Sequence, residues 1–268
     1  AAVELEREHG SLLRAMGAKR KARAKGEQKP PVACSFEGGM QRSVDVLRAC
    51  VAARVKSGQR VTSVAGGGAS AYRVRTASGE EYRARTLCLA LPAAAAAHAL
   101  QGFDAELAAE LQGIEAVSVA CTYVGFDASA LDAARFEGFG FLAPQGVSPV
   151  LGAIDCTALF ADHAPPGKRL FRVMSGGFAH PSEVERDDAA LQEQGCATLR
   201  RALGVRGDPD FVHTTRARDA IAQPNRGHAR RLERIRARLA RHAGLSLRGA
   251  SYRRVALPAQ WMRGGSTP

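Results

Sequence analysis

No apolar run in this sequence of 268 residues approaches the roughly 20 residues that span a bilayer. The richest tract, Ala93 to Ala97, follows Pro92 and stops at His98, so no membrane-crossing helix is expected. The chain also opens on a charged, helix-like segment rather than an apolar one, which gives no expectation of a secretory signal. Cysteine is sparse and scattered. Cys34, Cys50, Cys88, Cys121, Cys156 and Cys196 form no C-x-x-C pair, and several lie in apolar stretches. They read as buried free thiols in a reducing compartment, not as a metal site or a disulfide framework. Nothing in the order of residues suggests a Ser/His/Asp arrangement or a working carboxylate pair, so no catalytic residue and no metal ligand is expected. A strand followed by G-x-G-x-x-G and a helix is also missing. Gly138-Phe-Gly140-Phe-Leu-Ala143 matches that fingerprint formally, but a loop precedes it and Pro144 follows it, where a dinucleotide site needs a strand before and a helix after.

What is present is ample for a folded protein. At 46% hydrophobic residues the chain can bury one large or two ordinary cores. The net charge of +12 is concentrated in Lys19–Lys29 and in the arginines between Arg216 and Arg254. Such a surface attracts polyanions, acidic headgroups or a polycarboxylate ligand, although a solvated face is the simplest single explanation. No nucleic-acid-binding motif or aromatic platform accompanies it, so nucleic acid is not an expected partner.

Taken in order, the chain alternates helical and extended patterns. Met40, Val44, Leu47, Val51 and Val55 recur at helical spacing behind Gly38-Gly39. Strands are expected at 59–65, 72–76 and 81–85, the last two as a hairpin about Ser78-Gly79. A buried strand over 86–92 ends at a proline, where open α/β sheets expose ligand crevices. A helix near 104–113 and a nearly continuous apolar strand over 116–126 follow. Residues 136–160 read as two neighbouring strands about Gly146, Ser148 and Pro149, a greasy pocket wall without an acid or base. A strand at 169–175, an amphipathic helix over 183–203, a strand at 211–216, a helix from His228 and a short strand at 245–247 complete the pattern. His228 reads as a helix start rather than a general base.

Several segments resemble the protoporphyrinogen oxidase family, flavoproteins of the amine-oxidase superfamily. These are Ser35-Phe-Glu-Gly-Gly-Met40, Val117-Ser-Val119, Gly138-Phe-Gly-Phe-Leu-Ala-Pro144, Gly176-Gly177, Ala220-Ile-Ala-Gln-Pro-Asn-Arg-Gly-His228 and Gly249-Ala-Ser-Tyr-Arg-Arg-Val-Ala-Leu257. The resemblance runs over roughly residues 5–264 but matches only the back half of what the family carries. It implies a mixed α/β (α+β) fold: a partial FAD-binding Rossmann-like domain without its N-terminal dinucleotide fingerprint, plus a mixed-sheet substrate-binding domain. The implied boundaries are a remnant of the helical, membrane-associated domain and a basic linker over 1–31, part of the FAD domain over 32–98, the substrate domain over 99–220, and a return to the FAD domain over 221–268.

Carried over by position, the resemblance puts Val61, Ala250, Val255, Ala256 and Leu257 against FAD, and Leu131, Leu142 and Phe160 around a tetrapyrrole. It implies oxygen-linked oxidation of protoporphyrinogen IX in heme or chlorophyll biosynthesis. Coproporphyrinogen III oxidation of the same flavin-dependent type, and a non-enzymatic porphyrin-binding or degenerate fragment, stand beside it as alternatives. Oxygen as electron acceptor, peripheral membrane contact, a homodimer, and a cytoplasmic or inner-membrane location (organellar in a eukaryote) belong to the same set of expectations. Arg254 stands where the family has glycine, and Pro258-Ala-Gln-Trp261 replaces its polar sequence. With the fingerprint absent as well, an incomplete chain with weakened flavin binding is expected.

Overall fold

Paired glycines set the entry to the helix over residues 41–51. In this computed structural model, which describes residues 10, 11, 14, 36, 38–67, 70–131, 138–144, 146 and 148–252, Gly38 and Gly39 take φ values of +77° and +87°. Residues with a side chain rarely adopt these values. Helix α1 (Gln41–Val51) follows. Residues 1–50 and 51–268 form two separate compact units. The proposed helical remnant over 1–31 and the linker fall almost wholly outside the described residues.

Within the second unit, strict alternation produces a three-stranded antiparallel meander: β1 (Val61–Gly66), β2 (Tyr72–Thr76) and β3 (Glu81–Ala84). In β2 Tyr72, Val74 and Thr76 are buried while Arg73 and Arg75 are exposed, the two-residue period of a half-covered sheet. Strand β4 (Leu87–Leu89) runs into Pro92, and helix α2 (Ala93–Leu100) starts there. Helix α3 (Ala105–Gln112) follows, its start fixed by the Asp104 side chain, which accepts a 2.9 Å bond from Leu107 N–H.

The long strand β5 (Ala116–Asp127) opens a five-stranded sheet. It is joined by β6 (Gly140–Leu142) and β7 (Val150–Asp155), then, after the helical turn α4 (Cys156–Leu159), by β8 (Lys168–Gly176). Helix α5 (Asp188–Leu203) and strand β9 (Phe211–Ala222) follow. The order is β6-β7-β8-β5-β9, antiparallel throughout. Helix α6 (His228–Leu239) then leads to β10 (Leu245–Leu247), which pairs in parallel with β4.

Two hydrophobic cores result. One gathers Tyr72, Leu89, Leu100, Leu107, Leu111, Ile235 and Leu245 among β1–β4, α2, α3, α6 and β10. The other gathers Val124, Phe126, Phe171, Val173 and Leu199 between the five-stranded sheet and α5. Leu100, Leu107, Leu111 and Ile114, beyond the sequence boundary at residue 98, pack into the first core.

Local chemistry changed several expected elements. The strand expected through Phe160 stops at Asp155, whose carboxylate accepts 3.0 Å bonds from Thr157 N–H and Ala158 N–H and so starts α4. The helix expected from residue 183 begins at Asp188, because Asp187 caps it through Ala190 N–H at 2.7 Å. The alanine tract at 93–97 forms a helix with Ala93, Ala96, Ala97, Ala99 and Leu100 buried, which short apolar patterning alone did not reveal. The arginines at the C-terminal end are not simply a solvated face. Arg216, Arg218, Arg231, Arg234 and Arg238 pair with Asp188, Glu185, Glu110, Glu110 and Asp104. Among the described residues no helix is long and apolar enough to cross a membrane.

Candidate functional site

Helix α5 packs on one face of the five-stranded sheet through the second core, and the register identifies what lies on the other. Residues opposite one another on neighbouring strands share a face. One row therefore runs Gly140, Ile154, Arg172, Tyr123, His213, and the next runs Leu142, Gly152, Met174, Cys121, Thr215. Ile154, Arg172, Tyr123, Met174 and Cys121 are half-buried, whereas Leu142, His213 and Thr215 at the margins are exposed. Gly152 is a structural necessity, since a Cβ there would lie 2.3 Å from the Phe141 carbonyl oxygen. With Gly140 beside it, the face falls to backbone level next to Met174, with Ile154 and Leu142 as its other apolar side chains on β6 and β7. Its centre carries no carboxylate.

The central Arg172 is exceptional. Its Nε is buried and has no hydrogen-bond partner. The buried carboxylate nearby in sequence, Asp155, pairs across the ladder with Phe171 and so belongs to the covered face. There it caps α4 and lies 3.2 Å from Arg169. Burial pushes the Cys121 and Cys156 thiols up, and the neighbouring Arg172 charge pulls the other way without prevailing. Both therefore stay protonated at neutral pH and do not act as nucleophiles. Under native conditions at neutral pH, iodoacetamide is expected to modify the exposed Cys50 and Cys88 at least tenfold faster than Cys121, Cys156 and Cys196. Peptide mass mapping over time checks this.

The sequence-derived tetrapyrrole residues do not all meet. Leu131 is 6% exposed and sits in the core on the α5-covered side, while Leu142, 82% exposed, lies on the bare face. These two do not flank one cleft, and Leu131 serves the fold. Phe160 is half-buried beyond α4, its ring 4.9 Å from that of His163. Tyr123, Arg172 and Met174 were missed. Alternation within β8 was the available signal, but Arg169 and Arg172 fall on opposite faces and the sequence alone does not say which face is covered.

The residues expected beside a flavin give a partial fit. Val61 packs against the first core with its side chain, leaving its backbone for any contact. Beyond the parallel β4–β10 pair, Gly249 has φ +129°, and a Cβ there would have its nearest neighbour at 3.9 Å, the Leu91 carbonyl oxygen. The backbone is therefore approachable. Ala250 follows, exposed, in a short turn pinned by Tyr252, whose hydroxyl donates to Leu91 O at 3.2 Å. Val255, Ala256 and Leu257, with Arg254, lie outside the described residues.

Among the described residues no glycine-rich strand-to-helix cradle for the pyrophosphate of a flavin dinucleotide is found. The helix after β4 is entered through Pro92, which has no N–H, and its first free N–H, on Ala93, donates to Ser251 Oγ at 3.3 Å. That bond takes one of the free N–H groups of this helix start, while Ala94 and Ala95 beside it are exposed. The glycine match at 138–143 becomes strand β6 and not a helix, so it supplies no cradle either. Of the residues expected beside a flavin, Val61 and Ala250 lie among the described residues, and no chemical step is assigned through the cofactor. No group of three or more metal-ligating side chains occurs among the described residues.

A family model described as flavin containing amine oxidoreductase matches residues 2–254. The chain is 26% identical over 262 residues to a coproporphyrinogen III oxidase from Bacillus subtilis (strain 168), covering 95% of this chain and 55% of that protein. It is 31% identical over 175 residues to a protoporphyrinogen oxidase from Macaca fascicularis, covering 63% of this chain and 36% of that one. A solved structure from Exiguobacterium sp. 255-15, carrying a protoporphyrinogen oxidase assignment, superposes with a TM-score of 0.77 at 22% identity, over 96% of this chain and 54% of the other. The fold likeness extends to a reduced UDP-galactopyranose mutase, with a TM-score of 0.67 at 14% identity. The chain spans about half the length, or less, of the curated relatives it matches.

Proposed function

The chain belongs to the flavin containing amine oxidoreductase family, and from that premise we propose that it carries the substrate-binding part, and one wall of the cofactor crevice, of an FAD-dependent protoporphyrinogen oxidase. In this reading protoporphyrinogen IX lies on the bare sheet face and is oxidised to protoporphyrin IX with oxygen as final acceptor. FAD, when bound, supplies the hydride-accepting chemistry. The chain's own residues position the macrocycle and exclude water. The supporting observation is the face itself: Ile154, Tyr123 and Met174 beside the backbone-level surface at Gly140 and Gly152, with no carboxylate at its centre. A flat apolar ligand needs contact area there, and a redox cofactor removes the need for an acid–base pair.

Two further readings have their own support. The Bacillus subtilis relative, matched over 95% of this chain, favours coproporphyrinogen III as the substrate. The arginine at position 254, where the resemblance expects glycine, favours a porphyrin-binding chain without redox activity. One assay separates them. The purified chain is loaded with FAD, desalted, and given protoporphyrinogen IX or coproporphyrinogen III in air. Retained flavin absorbance with flavin-dependent growth of porphyrin fluorescence supports the oxidase, and the faster substrate identifies it. Porphyrin binding without retained flavin supports the non-redox reading. A chain that retains no flavin and binds neither porphyrin contradicts all three.

A further inference from the structure

The partnerless guanidinium on the bare sheet face has no structural purpose visible among its neighbours. Arg172 lies in β8 between Ile154 of β7 and Tyr123 of β5, and its Nε is fully withdrawn from solvent with nothing to donate to. Other arginines treated in the same way by the fold are matched. Arg169 meets Asp155 at 3.2 Å, Arg216 donates to Val184 O at 2.9 Å and pairs with Asp188, and Arg238 meets Asp104 at 2.8 Å. Burying a donor without an acceptor costs on the order of 1–3 kcal/mol and more when it is charged. A hydrophobic residue of similar length would fill this position without that cost. The Cys121 and Cys156 thiols beside it are kept neutral by burial, Tyr123 and His213 share its row, and the Asp155 carboxylate on the covered face pairs with Arg169 instead.

We propose that Arg172 is the residue through which the open sheet face takes a carboxylate of its ligand. The inference rests on reading that face as the tetrapyrrole site and adds the polar anchor which that reading leaves open. An apolar bed alone holds a flat macrocycle but does not orient it. A single fixed cation beside the bed selects the edge of the ring that carries carboxylates, and its planar fork suits them. The ligand class is therefore an amphipathic planar acid, apolar over its faces and anionic at one rim. Arg172 is half-buried as a residue, so the guanidinium nitrogens other than the shielded Nε are the ones open to that carboxylate.

The test is a fluorescence titration of the full chain with protoporphyrin IX and with its dimethyl ester, which keeps the ring and removes the charge. Wild type is expected to bind the acid roughly tenfold to hundredfold tighter than the ester, the range of one charge-assisted hydrogen bond in a desolvated setting. Arg172→Gln and Arg172→Met are expected to bind the two forms alike, at the ester's affinity. Ligand-free Arg172→Met is expected to melt at or above the wild-type temperature, because it removes a buried donor that has no acceptor. The proposal fails if wild type binds acid and ester equally, if the variants keep the acid preference, or if Arg172→Met melts several degrees lower, which marks a structural arginine. In those cases the face still binds porphyrin and the underlying reading stands. If wild type binds neither form, the reading of the face falls and this proposal falls with it. Should both variants fail to fold, the comparison of acid with ester on the wild-type chain still decides.

Discussion

Asp104→Ala is expected to remove about 3–5 kcal/mol of folding stability, the cost of breaking one side of a buried ion pair, and to lower the melting temperature by roughly 10 °C. The Asp104 side chain is 3% exposed and meets Arg238 at 2.8 Å and His242 Nε2 at 2.6 Å. It also caps α3 through Leu107 N–H. One carboxylate therefore joins the α2–α3 turn to the end of α6 and the segment leading to β10. Without it, the Arg238 head loses its closest partner and the α3 start loses its cap, worth about 1 kcal/mol by itself. Asp104→Asn keeps an acceptor for the cap and is expected to lose less. Thermal unfolding of the three proteins under one buffer condition checks both the size and the order.

The same residue sets a pH dependence. Burial alone would raise the Asp104 carboxyl, but hydrogen bonds from Arg238, His242 and Leu107 N–H overcome it and hold the group well below the usual carboxylate range. The unfolded chain then takes up a proton at a higher pH than the native one. The stability from Asp104 is complete above its unfolded pKa of about 3.9 and is lost as pH falls from there toward the depressed native value. Denaturant midpoints between pH 7 and pH 3 should fall more steeply for wild type than for Asp104→Ala. Parallel curves would show that Asp104 does not carry that dependence.

Phe171→Ala is expected to cost about 3–5 kcal/mol. Phe171 is 1% exposed, in the core between the sheet and α5, with its ring edge toward Phe126 at a centroid distance of 6.4 Å. It lies opposite both Val124 and Asp155, so its removal leaves a cavity beneath the strand that presents Arg172 on the other side. Phe171→Leu refills most of that volume and should cost markedly less. Urea unfolding gives the loss directly, and porphyrin titration of Phe171→Leu should stay near wild type, because the altered atoms lie on the covered face.

Much of the scaffold was legible because its signals are local. The alternation in β2, the apolar length of β5, the proline ending the 86–92 segment and the dismissal of the 138–143 glycine match all follow from short-range pattern, and all agree with the strands found there. The mixed α/β character was legible for the same reason. What eluded the sequence depends on partners distant along the chain. Leu131 and Leu142 are both apolar leucines, and only the position of α5 puts one in the core and leaves the other bare. Arg172 is one of many arginines, and its lack of an acceptor is a property of the assembled sheet that no motif records. Asp155 and Asp187 were legible in principle, since an acidic residue two or three positions ahead of a free N–H is a helix-start signal, but an apolar run obscured the first and the charged stretch from Glu183 to Asp188 the second.

The most direct measurement of the bare face as a tetrapyrrole site is a crystal structure of the chain soaked with protoporphyrin IX. The expected density is a planar ring over Met174 and Gly152, bordered by Ile154 and Tyr123, with one carboxylate within hydrogen-bond distance of Arg172. A ring found elsewhere, for example beyond α4 beside Phe160 and His163, with the β8 face left empty, would contradict it.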